Sequence, residues 1–373
     1  MTPRTTTYAA LGIRPIINAC ATLTRLGGSV MPTEVLDAMR SAAECFVDLD
    51  ELQRRVGERI AELTGNEAAY VSSGAAAGMV LATAACTAGM DGEKRTSFPD
   101  LTGMKSEVIV QRLHQNGYAY AVRQVGVTVV EVGTDAGTSR LELENAISAK
   151  TAAIFWFQGA MNRPTELPLD DVIAIANAAS VPVIVDAAAQ LPPVENLTRF
   201  TKMGAALALF SGGKDLAGPQ SSGLMLGRKD LIEACRVHGN PNHAVGRPMK
   251  VGKEELLGIL AAVERYLALD HEARNRGFEE TVRLWNDGLA GIPGVSARRD
   301  FPNEAGQPVP WTLVSLETAE RRDAVVAALR AGEPAIAVAQ AGDTAIHLNP
   351  MTLRPGEAEI VLTRLIEVLR QIE

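Results

Sequence analysis

Short apolar runs alternate with helix-patterned segments along most of this chain, and that alternation restricts the folds open to it more than any other feature. The runs are AAYVSS, whose apolar part closes at Val71, Glu107 to Gln111 (EVIVQ), Val127 to Val132 (VTVVEV), Ala152 to Phe157 (AAIFWF), Val181 to Asp186 (VPVIVD) and Ala205 to Phe210 (AALALF). Each is of strand length, and several are rich in β-branched residues, which predicts strands buried on both faces. Between them, Asp50 to Leu63 sets Leu52, Val56, Ile60 and Leu63 on one helical face, with Gly65 as a stop signal. Leu169 to Ala179 reads as another helix, with acidic residues in its first turn. Such alternation predicts an α/β fold: a mainly parallel central sheet with right-handed crossovers and helices on both faces.

The pattern changes after about Lys250, where a long helical stretch leads into Pro293. Strand candidates at Pro310 to Leu316 and Thr344 to Leu348 and a final helix from about Glu357 then predict a smaller C-terminal α+β domain. The expected organisation is an N-terminal segment (1–45) packing near the active site, a large domain (46–250), and a linking helix with the small domain (251–373).

Composition narrows the partners. With 373 residues, 47% of them hydrophobic, the chain can bury a large core, and its net charge of −8 argues against nucleic acid or an anionic membrane surface. Cys20, Cys45, Cys86 and Cys235 lie far apart, so no zinc site or disulfide framework is expected, which fits a reducing cytoplasm. No segment reads as a signal core or a membrane span.

In doubly wound sheets, ligands sit beyond the carboxyl ends of the strands. Three loops there stand out. Ser72 to Gly78 (SSGAAAG) follows a strand and opens a small-residue helix, as a phosphate cradle or simply as a tight strand-to-helix turn. Asp186 ends a β-branched strand, as a buried carboxylate in need of a cationic partner or as an N-cap. Lys214 follows the pair Gly212-Gly213 after AALALF, as a solvated turn lysine or as an amine for a carbonyl cofactor; Asp215 after it and Ala208 before it rule out a Walker loop. Together the three match what pyridoxal 5'-phosphate needs: a phosphate cradle, an anion at the pyridine nitrogen and a lysine for the aldehyde.

These loops, with Ile16 to Met39, DLDELQRRVGERIAELTGNEAAYVSSGAAAG, VDAAAQLPP, SGGKDLAGPQSSG and GRPMKVGKEEL, resemble the selenocysteine-synthase-like family of fold type I pyridoxal-phosphate enzymes. Within that family the chain is most similar to the branch that includes D-glucosaminate-6-phosphate ammonia-lyase. The resemblance implies an aspartate-aminotransferase-like fold and a homodimer or larger homo-oligomer. It implies Ser73, Gly74, Ala75 and Ser211 around the cofactor phosphate, Asp186 at the ring nitrogen, His114 against the ring face, and Lys214 as the cofactor lysine and general base at Cα. Asn162 to Thr165 (NRPT) is a poorer match to an asparagine-proline loop near the phenolic oxygen. Arg354 and Arg25 are expected at a substrate carboxylate. Arg247 and Lys250, with Lys253, are expected at an anion, either a distal substrate phosphate or the cofactor phosphate of a neighbouring subunit. His238, His243, His271 and His347 carry no assignment.

The activity implied is a lyase on an α-amino-β-hydroxy acid or amino-sugar acid, giving a 2-keto-3-deoxy acid and ammonia. Racemisation, aldol cleavage and transamination remain alternatives. Selenium transfer to a tRNA, or RNA binding without catalysis, is disfavoured by the acidic balance and by a family core that begins within about a dozen residues of Met1.

Overall fold

The computed structural model describes residues 7–159 and 162–372. They form two compact units. The larger comprises Ser29–Leu269 with Ala305–Gln307; the smaller combines the described residues through Gly28 with Asp270–Glu304 and those from Pro308 onward. In chain order the strands are β1 (Ile16–Ala19), β2 (Ala68–Ser72), β3 (Glu107–Gln111), β4 (Thr128–Val132), β5 (Thr151–Phe157), β6 (Val183–Asp186), β7 (Leu207–Ser211), β8 (Gly223–Gly227), β9 (Val295–Asp300), β10 (Trp311–Leu316), β11 (Ala335–Ala341) and β12 (Ala345–Leu348).

The large unit is built on a sheet of order β2-β8-β7-β6-β5-β3-β4, in which β8 alone runs antiparallel to its neighbours. The carboxyl ends of the other six strands therefore share one edge. Every residue of β5 is buried. Its Ile154 and Trp156 join one core, and Ala153, Phe155 and Phe157 the other, so the period-two alternation of a strand sorts side chains between two apolar layers. β6 and β7 divide in the same way: Val183, Val185, Ala208 and Phe210 on one face, Ile184, Leu207 and Leu209 on the other. Helices Leu49–Thr64, Leu169–Ala178 and Lys253–Leu267 cover the first face, and Ala75–Ala88 and Lys229–His238 the second.

The runs read as strands in the sequence are strands here, trimmed where chemistry requires it: Val181 and Pro182 precede β6 because proline offers no N–H to a central ladder. β8 had no counterpart among the expected strands. Its GLMLG is short and glycine-flanked, and it pairs because the loop from β7 is short enough to return the chain antiparallel.

The small unit has the sheet order β1-β11-β12-β10-β9, with β1 parallel to β11 and the remaining pairs antiparallel. Trp285, Leu289, Val325, Leu329, Val361, Leu365 and Val368 from helices His271–Leu289, Ala319–Ala331 and Glu357–Gln371 close its core. The long helical stretch is two helices, Lys253–Leu267 and His271–Leu289, and the side chain of Asp270 starts the second by accepting from the Ala273 amide at 2.8 Å.

Candidate active site

β2 runs into helix Ala75–Ala88 through Ser73 and Gly74. Gly74 is the N-cap at φ 104°, a backbone conformation that favours glycine, and no side chain caps the helix. The N–H groups of its first turn thus face the loop without an internal acceptor, the arrangement that binds anions. Ser72 Oγ donates to the Gly74 carbonyl at 2.9 Å. Gly223, which opens β8, passes so close that a Cβ there would lie 2.4 Å from the Gly74 carbonyl carbon. Ser73 and Gly74 are half-buried and Ala75 is buried.

Three strands across from β2, Asp186 ends β6, buried, with Oδ1 accepting the Ala188 amide at 3.0 Å. Burial pushes its carboxyl above the ordinary range; the Ala188 hydrogen bond and the ammonium of Lys214 pull it the other way. Asp186 and Lys214 are thus electrostatic neighbours although they lie 28 positions apart in the chain. The adjacent ends of β6 and β7 are further joined where the Ser211 amide donates to Ala188 at 3.3 Å.

The loop bearing half-buried Lys214 is held on several sides. Gly212 donates to Ser222 at 2.8 Å, Gly218 to Gly212 at 2.8 Å, and Ser29 Oγ to the Gly213 carbonyl at 3.0 Å. A Cβ on Gly212 would meet Ser222 Oγ at 2.1 Å, and one on Gly213 would meet Gln220 Oε1 at 2.5 Å, so the glycine pair lets two chain segments pass in contact. Asp215, buried beside the lysine, accepts from Tyr266 Oη at 2.7 Å.

His114 lies in the 3₁₀ turn Arg112–His114 directly after β3 and is fully buried, so it is not a surface histidine. Its Nε2 is 2.9 Å from Glu166 Oε2 and its Nδ1 lies 3.4 Å from the Phe157 amide, while Trp156 meets the ring edge to face with centroids 4.4 Å apart. Burial pushes the imidazole down to about 4 and raises the carboxyl of Glu166. Asn162 Nδ2 approaches the same Nε2 at 2.9 Å.

The cationic candidates differ in exposure and in partners. Arg247 and Lys250 are exposed, Arg247 donating to Asn240 Oδ1 at 3.1 Å. Lys253 is satisfied by the Ala42 carbonyl at 2.7 Å and by Glu254 at 2.6 Å. Arg25 and Arg354 belong to the small unit; Arg25 is exposed and Arg354 pairs with Glu357 at 2.8 Å.

Sequence reasoning did not find Glu166, Gln111 or Gln115. Gln111 donates to the Leu167 carbonyl and accepts the Leu167 amide, both at 3.0 Å, stapling the segment after β5 to the end of β3. The side-chain amide nitrogen of Gln115 is buried without a hydrogen-bond partner. No local pattern marks Glu166 or Gln111, because their partners lie 52 and 56 positions away.

The chain is 37% identical to 5'-C-glycyluridine monooxygenase-decarboxylase of a Streptomyces species over 97% of this chain and 92% of that protein. It is 33% identical to D-glucosaminate-6-phosphate ammonia lyase of Salmonella typhimurium, over 99% and 98% of the two chains. Among solved structures, one of D-glucosaminate-6-phosphate ammonia-lyase superposes with a TM-score of 0.85 at 32% identity, covering both chains fully. With the sheet order described above, the fold is that of the fold type I pyridoxal-phosphate enzymes. The model of the SelA family, L-seryl-tRNA selenium transferase, matches residues 16–293, and the chain belongs to that family.

Proposed function

We propose that this protein is a pyridoxal-phosphate-dependent ammonia-lyase acting on an α-amino-β-hydroxy acid of the D-glucosaminate-6-phosphate type. The observation that carries the reading is buried Asp186 at the end of β6 beside the Lys214 loop that follows β7, the two strand ends being joined by the Ser211–Ala188 hydrogen bond, in a chain 33% identical to a D-glucosaminate-6-phosphate ammonia lyase. The residues fit the cofactor. An uncapped helix start beside Gly223 offers a phosphate cradle, Asp186 a buried anion, and Gln115 an unpartnered buried donor nearby. When bound, the cofactor supplies an electron sink for the charge left at the substrate's Cα.

The chain's own groups divide the remaining work. The first-turn amides of helix Ala75–Ala88, with Ser73 and Ser211, would hold the phosphate. Asp186 would hold a proton on the ring nitrogen, and His114 would pack the ring face. Lys214 Nζ would hold the cofactor at its aldehyde end and would serve as the base at the substrate's Cα. Loss of the β-hydroxyl as water, followed by hydrolysis, gives the 2-keto-3-deoxy acid and ammonia. Arg354 and Arg25 are proposed for the substrate carboxylate, Arg354 exchanging its Glu357 partner, and Arg247 and Lys250 for an anionic group; each is tested by the KM of its alanine variant.

Incubation with phosphorylated and unphosphorylated D- and L-hydroxyamino acids, with ammonia and keto acid quantified, is the test. Stoichiometric release of both is expected; racemisation without ammonia overturns the lyase reading. Borohydride reduction of the holoenzyme followed by peptide mass spectrometry should place the label on Lys214.

A second reading rests on the 37% identity to a monooxygenase-decarboxylase: loss of the Cα carboxylate with uptake of dioxygen. Carbon dioxide release that depends on dioxygen would select it. Net charge −8 weighs against a tRNA substrate for either chemistry. A homodimer and a cytoplasmic location complete the proposal; the exposed Phe46 and Val47 and the free cysteines support them, and light scattering tests the first.

A further inference from the structure

We propose that Glu166 is a positioning residue for His114: it accepts the Nε2 hydrogen while the Phe157 amide occupies Nδ1, holding the imidazole in one orientation and one neutral tautomer. The inference deepens the cofactor-site reading and rests on it for its functional meaning, since His114 matters to catalysis only if the cofactor binds at this sheet edge.

Two hydrogen bonds assign the tautomer, and with Nε2 protonated the Asn162 Nδ2 group 2.9 Å from it donates to the Phe157 carbonyl and to Glu166, not to the ring. The Phe157 amide can only donate, so Nδ1, 3.4 Å away, must be an acceptor. A neutral ring then carries its hydrogen on Nε2, which lies 2.9 Å from Glu166 Oε2. Burial favours the uncharged ring independently.

Glu166 is itself built into place. Its side chain is 4% exposed, and besides His114 it accepts from the Arg163 backbone amide and the Asn162 side chain. Asn162 is fixed in turn, since its Oδ1 accepts the Gly159 amide at 2.8 Å and its Nδ2 reaches the Phe157 carbonyl at 3.2 Å. The Gln111–Leu167 pair fastens the next residue to β3. A buried carboxylate this well supplied with donors is a rigid acceptor. With both ring nitrogens engaged, His114 offers the cofactor a fixed aromatic surface and not a proton.

Cofactor-free protein labelled with [15N]histidine tests this without reference to turnover, with His114→Asn identifying the His114 signals. The Nε2–H tautomer is expected, unchanged from about pH 5.5 to 8.5. Glu166→Gln keeps an acceptor oxygen and should keep both the tautomer and the Nε2 chemical shift; Glu166→Leu removes it, and should leave a neutral ring whose Nε2 signal shifts and broadens as the imidazole loses its fixed orientation. A wild-type ring protonated on Nδ1, or charged at neutral pH, overturns the proposal, as does a folded Leu variant with an unchanged spectrum. If the Leu variant fails to fold, the wild-type tautomer and its retention in Glu166→Gln still decide. Failure of the cofactor-site reading is seen separately, as absence of borohydride label on Lys214.

Discussion

Tyr266 donates its phenolic hydrogen to Asp215 Oδ2 across 2.7 Å, with both residues buried, tying helix Lys253–Leu267 to the residue next to Lys214. The contact connects a core helix to the loop on which the proposed chemistry depends. Tyr266→Phe keeps the ring in its apolar setting but removes a donor from a buried carboxylate, which costs roughly 1–3 kcal/mol. Urea unfolding should show that loss, and Asp215→Asn combined with Tyr266→Phe should cost less than the sum of the single changes.

Lys214→Ala and Asp186→Asn are expected to separate two roles. The lysine variant should lose borohydride-fixed cofactor and at least about 1000-fold in turnover. Asp186→Asn should lose about 100-fold or more in turnover, yet in cofactor-free form unfold at a temperature no lower than wild type, because ionised Asp186 is disfavoured by burial. A cofactor-free Asp186→Asn protein that is clearly less stable would show the carboxylate to be structural instead.

Gly223→Ala places a methyl group 2.4 Å from the Gly74 carbonyl carbon, and both partners are backbone. The start of β8 and the loop before helix Ala75–Ala88 must move apart, at a cost of about 1–3 kcal/mol. Cofactor affinity, followed by equilibrium dialysis, should fall at least tenfold, while the far-UV circular dichroism stays that of wild type.

Acid should destabilise the cofactor-free protein in a defined window. His114 is held neutral by burial, its value lowered to about 4 from an unfolded value near 6.5. Its contribution is therefore fully present above pH 6.5 and is lost as pH falls from there toward 4, by at most about 3 kcal/mol. Glu166 has the opposite sign: its raised carboxyl costs stability while ionised, and that cost fades as pH falls. Thermal melts across pH 4 to 7 should show a net loss in wild type and a shallower slope in His114→Asn.

The large-unit strands were legible because burial on both faces leaves a continuous apolar run. Those of the small unit were less so. β11 reads AIAVAQA, alanine-rich and without a strand's composition, and β9 reads VSARRD, half of it charged, since one of its faces is exposed. Both acquire strand form from their ladders, β11 between β1 and β12 and β9 on β10. Ser73, Gly74, Asp186, Ser211 and Lys214 could be picked out because each combines an unusual residue type with a strand end. Glu166 and Gln111 could not, being ordinary polar residues in ordinary positions.

By itself, then, the sequence determined the buried parallel strands of the large unit, where each of them ends, and which polar groups stand at those ends, since period, β-branching and glycine placement are local properties of the chain. Tertiary structure alone decided which strand ends are neighbours. The order β2-β8-β7-β6-β5-β3-β4 brings Asp186 within the electrostatic reach of Lys214, and it turns His114, Phe157 and Glu166 into one hydrogen-bonded cluster. The physical reason is that the pairing of strands far apart in sequence is settled by long-range packing of two apolar layers, and no short stretch of residues records its partner across the sheet.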